Sequence, residues 1–160
     1  MKTILVAIDF SQVSSQAVSV ALDFAEALRA KVAMVYVIQS NLYFENMVTF
    51  PVDPTDSDPM EVEAKRTLNL QVAAANKRGI EATSYILRGL PVLRILEQAE
   101  AVSADLIVMG SHGHGAVYNL IAGSTAQGVL KGAHCPLVLV PSQLAEKQCV
   151  AATAQAASPA

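Results

Sequence analysis

Between Gly110 and Thr125 the chain reads Gly-Ser-His-Gly-His-Gly-Ala-Val-Tyr-Asn-Leu-Ile-Ala-Gly-Ser-Thr. Glycines at 110, 113 and 123, with hydroxyls at Ser124 and Thr125, follow the apolar run Asp105–Met109. A strand that ends in glycines and leads to hydroxyl residues opening a helix offers backbone N–H groups to phosphates. Gly110 and Gly113 read as positions where the backbone takes φ > 0 and nears an anion without a Cβ. Gly123 exposes the amides of the next helix start, and the helix dipole there favours negative charge. A plainer reading makes the glycines a turn and Ser124 an N-cap. The spacing favours phosphate over that reading.

Other chemistries fit less well. No Gly-Lys-Ser/Thr occurs, and no Gly-x-Gly-x-x-Gly follows the first strand. Lys131 lies well past Ser124, so no P-loop lysine is at hand. His112 and His114 have the spacing of a metal pair, but no third ligand is apparent, and no metal site is assigned. Asp9 closes the first apolar run, where an acid either meets a ligand or caps the next helix.

The elements that must position these residues alternate regularly. Thr3–Ile8 reads as a strand buried on both faces. Ser11 caps a helix whose apolar stripe is Ala17, Val18, Ala21, Leu22, Ala25 and Leu28. Lys31 separates it from a second strand, Val32–Ile38. Asp58 as N-cap, Pro59 at N1, Glu61 at N3 and Gly79 after the last turn mark a helix that buries Leu68, Val72 and Ala75. Ile80–Leu87 reads as a third strand. Gly89-Leu-Pro91 opens a helix carrying Val92, Leu93, Ile95, Leu96 and Ala99. Asp105–Met109 is the fourth strand, Ser124 to Leu130 a helix ended by Gly132, and Pro136–Pro141 the fifth strand. Residues 39–57 form a long apolar loop with Leu42, Tyr43, Phe44, Met47 and Phe50, placed over a ligand or against a second subunit. Met34, Tyr36 and Tyr118 read as core or wall.

This order predicts an open five-stranded parallel sheet with helices on both faces. Ligands in such sheets bind beyond the strand carboxyl ends, where the winding reverses. With an assumed strand order of 3-2-1-4-5, Asp9 and the glycine segment flank one crevice.

Composition narrows the function. Net charge is −3 and no lysine/arginine run appears, which argues against binding nucleic acid through its phosphates. Any phosphate must be held by local dipoles. Cys135 reads as a small buried side chain and Cys149 as an incidental thiol, so nothing requires an oxidising compartment. The run Ile4–Ile8, stopped by Asp9, is too short for a signal sequence, and no run approaches a membrane span. A cytoplasmic location is expected. Residues 1–141 read as one domain and 142–160 as an Ala-rich tail.

Gly110-x2-Gly113-x9-Gly123-Ser124 resembles the ATP-binding pattern of the universal stress protein family. Ile4–Ser11, Arg88-Gly-Leu-Pro91, Ala104–Gly113 and His134–Val140 are similar to other blocks of that family. The resemblance covers residues 1–141 and implies a Rossmann-like fold of the adenine nucleotide alpha hydrolase type. It implies that Asp9 bonds the adenine or ribose side of the nucleotide and that Ala7 and Val37 line the base pocket. Met109, Gly110, His112, Gly113 and His114 would wrap ribose and phosphates. Gly123, Ser124, Thr125 and Ala126 would hold the phosphate tail. His112 stands where many members carry arginine, and neutral imidazole is the weaker phosphate partner.

The resemblance further implies ATP with Mg²⁺ or Mn²⁺ bridging its phosphates, and a homodimer through the last strand, Leu137–Val140. The expected function is regulatory, in stress response. No acid follows the glycines to orient water and no arginine is near, so at most slow hydrolysis or self-phosphorylation at Ser124 is expected. The alternatives are a slow ATPase or nucleotidyl-transfer enzyme on the same fold, and a nucleotide-free interaction dimer.

Overall fold

Side chains of a strand alternate between two faces, and here both faces are buried. In β1 (Thr3–Ile8), Ile4, Val6 and Ile8 join one apolar cluster while Leu5 and Ala7 join another. That is why the strand reads as an unbroken apolar run. The computed structural model describes residues 2–39, 58–111 and 122–141. After β1 come α1 (Gln12–Leu28), β2 (Lys31–Gln39), α2 (Pro59–Lys77), β3 (Ala82–Gly89), α3 (Pro91–Ala101), β4 (Leu106–Gly110), α4 (Ser124–Gly132) and β5 (Leu137–Val140).

The five strands are parallel in the order β3-β2-β1-β4-β5, as assumed from the sequence. The first cluster sits between the sheet and α1 and α2, through Ala17, Val18, Ala21, Leu22, Leu68 and Ala75. The second sits between the sheet and α3 and α4, through Ile95, Ala99, Ala126 and Val129. Asp105 fixes β4 beside β1: its amide donates to the Thr3 carbonyl and its carboxylate accepts the Thr3 amide, each at 2.8 Å.

The helix signals act as expected at most ends. Ser11 Oγ accepts the Ser14 amide at 3.1 Å, and Asp58 Oδ1 accepts the Met60 amide at 3.0 Å. Helix α2 ends with Gly79 at φ +75°, its amide on the Asn76 carbonyl and the Ile80 amide on the Ala75 carbonyl. This paired closure needs a left-handed residue, which glycine adopts without a Cβ penalty.

The same closure corrects the expected third strand. Ile80 is buried in the first cluster as the apolar partner of the helix end, and β3 begins two residues later. Lys31 lies within β2. Helix α4 runs on through Gly132, whose place is inside the last turn. Leu93 is exposed; Ile95 and Ala99 form the buried face of α3. Cys135 is half-buried against the second cluster, and burial pushes its thiol pKa up. Residues 40–57, Tyr118, Cys149 and the tail from 142 lie outside the described residues.

Arg88 at the end of β3 ties the start of α2 to the sheet. One guanidinium nitrogen donates to Asp58 Oδ2 at 3.0 Å and to Glu61 Oε2 at 2.6 Å. Arg88, with the Met60 amide, holds the Asp58 carboxyl below its usual 3.8. A depressed carboxyl pKa adds stability that is complete above the unfolded value and is lost as pH falls through the folded one. The stability difference between wild type and Arg88→Met in urea is therefore expected to shrink as pH drops below 3.8. A difference that stays constant with pH would show that Asp58 does not take part.

Candidate functional site

The winding reverses between β1 and β4. Chain order runs β1, β2, β3 outward, then returns to place β4 on the other side of β1. Ala7 stands in register with Met109, and Gly110 with Val140. Ala7, Met109 and Ala126 are buried in the second cluster, and Val37 packs against it. Ala7, Val37 and Met109 thus lie on the sheet face covered by α3 and α4, and Ala126 packs onto it from α4.

Beyond β1 the backbone turns sharply. Phe10 takes φ +60°, a left-handed conformation that costs a non-glycine residue about 1–2 kcal/mol. Its ring meets Tyr36 of β2 at a centroid distance of 4.6 Å, which offsets part of that cost. The turn leaves Asp9 half-buried at the strand end, with Oδ1 accepting the Ser11 amide at 3.0 Å. The cap of α1 is Ser11, so Asp9 does not cap that helix as the alternative had it; its carboxylate holds the turn that leads to the cap. One amide uses only part of a carboxylate's acceptor capacity, so a ligand contact is compatible with that role.

Beyond β4, Ser111 and Gly123 are fastened to the sheet end and to each other. The Ser111 amide donates to the Val140 carbonyl at 2.8 Å, and the Gly123 amide donates to the Ser111 carbonyl at 2.7 Å. Gly123 thus meets Ser111 directly, and α4 starts against the end of β4. Gly110 does not take the expected positive φ: the described glycines that do are Gly79 and Gly89. The reason is that Gly110 is still extended and paired with β5. His112, Gly113 and His114 lie outside the described residues.

Helices α3 and α4 both start without a side-chain cap, but α3 opens on a proline, which has no N–H, whereas every residue of α4's first turn carries one. Gly123 is the N-cap at φ −67° and no side chain caps the helix. Helix α1 has Ser11 and α2 has Asp58 in that role, while α3 has Pro91 at its first position. The first amides of any helix lack partners within it. At α4 those amides belong to Ser124, Thr125 and Ala126, with Ser124 exposed and Thr125 half-buried. A small anion finds three donors and a favourable dipole there. Two residues at this end escaped the sequence reading. Ser111 is 5% exposed, and Gln127 Nε2 donates to the Ala122 carbonyl at 2.7 Å. Neither contact has a spacing signature.

A groove of about 540 Å³ lies elsewhere, along the outer strand β3, lined by Glu61, Ile86, Leu87, Arg88, Arg94 and Glu97 among others. Its cations are already paired, Arg88 with Asp58 and Glu61, and Arg94 with Glu97. Strands β2 and β1 separate it from β4.

The model of the universal stress protein family matches residues 1–141. The chain belongs to the universal stress protein family. A universal stress protein of Methanocaldococcus jannaschii is 32% identical over 142 residues, covering 87% of this chain and 81% of the relative. One of Thermus aquaticus is 33% identical over 140 residues, covering 87% and 98%. The solved universal stress protein of Archaeoglobus fulgidus in complex with dAMP shares the fold, with a TM-score of 0.64 at 24% identity over 88% of this chain and 98% of that one. The Rossmann-like fold expected from the resemblance is thereby established for this universal stress protein. Among the described residues no helix is long and apolar enough to cross a membrane.

Proposed function

We propose that this universal stress protein binds ATP in the crevice between β1 and β4 and acts as a regulatory homodimer. The observation that carries the reading is the start of α4, three amides without a side-chain cap at the sheet's switch point. The base would rest on Ala7 and Val37, with Asp9 toward adenine or ribose. Met109, Gly110, His112, Gly113 and His114 would follow the ribose and phosphates, and Gly123, Ser124, Thr125 and Ala126 would receive the phosphate tail. The donor set fits an anion: amides and hydroxyls, with no carboxylate on α4's first turn. The dAMP complex of the Archaeoglobus fulgidus protein supports an adenine nucleotide on this fold.

A divalent ion would be carried by the phosphates. Among the described residues no group of three or more His, Cys, Asp or Glu side chains is placed to hold one. Mg²⁺ ordinarily keeps water and phosphate ligands in that manner. Pairing of β5 (Leu137–Val140) with its copy would cover the sheet edge that this strand forms.

Thermal unfolding with MgATP tests the reading. Saturating nucleotide is expected to raise the midpoint, since a hundredfold excess over Kd stabilises by about 2.7 kcal/mol. Gly123 has an ordinary φ, so Gly123→Val keeps the backbone and adds bulk where the phosphate would approach. That variant is expected to bind about tenfold more weakly, a loss of about 1.4 kcal/mol. No shift of the wild type at millimolar MgATP would overturn the reading.

A further inference from the structure

A trans peptide unit points its carbonyl and its N–H in opposite directions. The unit joining Ala122 to Gly123 is held at both ends. Its carbonyl accepts Gln127 Nε2 at 2.7 Å, and its N–H donates to the Ser111 carbonyl, also at 2.7 Å. This is the peptide immediately before the three uncapped amides of α4. Gln127 is the fourth residue of that helix, and its own amide makes a 3.0 Å bond to the Gly123 carbonyl. One residue therefore binds both carbonyls that flank the helix start.

We infer that Gln127 is a positioning residue for the nucleotide phosphates, acting by clamping the Ala122–Gly123 peptide. The inference rests on the ATP-binding reading above. Two features argue that the clamp serves the site and not the fold alone. Gln127 is exposed on its helix, so its side chain contributes little to the core. Burial of the neighbouring Ala122 methyl, 7% exposed in the second cluster, holds that side chain, while the orientation of the peptide after it is set by its two hydrogen bonds. Without the amide donor, the Ala122 carbonyl regains freedom to turn toward the anion, where its partial negative charge opposes binding. The clamp keeps the carbonyl away and leaves the helix amides as the groups that face the phosphate.

A positioning role of this kind is selective. It touches phosphate-bearing ligands and spares the nucleoside, which meets Ala7, Val37 and Asp9. Gln127→Ala removes the donor. Gln127→Glu keeps the shape, cannot donate when ionised, and faces the carbonyl with a charge. Kd values for ATP and for adenosine should be measured on wild type and both variants, with the unfolding midpoint without ligand alongside. Removing one such bond is expected to weaken ATP about five- to tenfold in Gln127→Ala, with a larger loss in Gln127→Glu. Adenosine affinity is expected to change less than about twofold, because its contacts lie on the strands and not on the clamped peptide. Equal losses for ATP and adenosine, or unchanged ATP affinity in Gln127→Ala, would overturn the clamp while leaving the ATP site standing. A wild type that binds adenosine but not ATP, or neither, would overturn both.

Discussion

Ile107→Ala is expected to destabilise the protein by about 2–5 kcal/mol, the range for truncating a fully buried aliphatic side chain. Ile107 is 0% exposed, on β4 between Leu5 of β1 and Leu137 of β5. It belongs to the cluster that also holds Met109, Ala122 and Ala126, directly under the candidate site. The sheet around it is paired on both sides, so the strands cannot close on the void. A loss of this size is a large part of a typical domain's total of about 5–15 kcal/mol. Urea unfolding monitored by circular dichroism checks it, with an unchanged dependence on denaturant. Leu93→Ala on exposed α3 surface is the control, expected within about 0.5 kcal/mol of wild type. A loss below about 1 kcal/mol for Ile107→Ala would mean that the second cluster is not packed as described.

Gly128→Val should have the next largest effect. A Cβ at Gly128 would stand 2.6 Å and 3.0 Å from the two methyls of Val92 on α3. Val92 is β-branched and holds one rotamer in a helix, so it cannot turn aside. The relief available is to push α4 away from α3, and overpacking of this sort costs about 1–3 kcal/mol. Replacing glycine in a helix returns up to about 1 kcal/mol of propensity, less for valine than for alanine, so the net sign stays unfavourable. Gly132 makes a useful contrast. There the nearest atom is a terminal methyl of Leu96 at 2.5 Å, on a side chain that can rotate. Gly132→Ala is expected to be near neutral, within about 1 kcal/mol. Differential scanning calorimetry on both variants decides it; equal midpoints would remove the case for close α3–α4 contact. Because α4 begins at the candidate site, Gly128→Val should also weaken nucleotide binding.

Much of this architecture was legible because it rests on short-range signals. Asp58, Pro59, Glu61 and Gly79 bracket α2 by capping chemistry that is local by nature. The runs Ile4–Ile8 and Val32–Ile38 announce strands buried on both faces. The misreadings share a physical origin in tertiary context. Ile80 has the branching of a strand residue, but it serves the closure of α2. Leu93 fits the apolar stripe of α3 and lies on its outward side. Gly110 looks like a turn glycine, yet pairing with β5 keeps it extended.

At the site, Gly123, Ser124 and Thr125 are marked by spacing and Ala126 by the family resemblance, and α4 begins where that spacing places it. The left-handed Phe10 could not be named, since aromatic residues rarely adopt that conformation. Nor could Gln127, whose role depends on where the Ala122 carbonyl points after the chain returns to Ser111. Hydrogen bonds that orient a backbone unit leave no periodic trace in a sequence.

The most direct test of the central claim is a ¹⁵N–¹H correlation spectrum recorded while MgATP is added. Saturable shifts of the Ser124, Thr125 and Ala126 amides are expected, and adenosine is not expected to reproduce them. Shifts confined to the groove beside Arg88 and Arg94, or no shifts at saturating ATP, would contradict that claim.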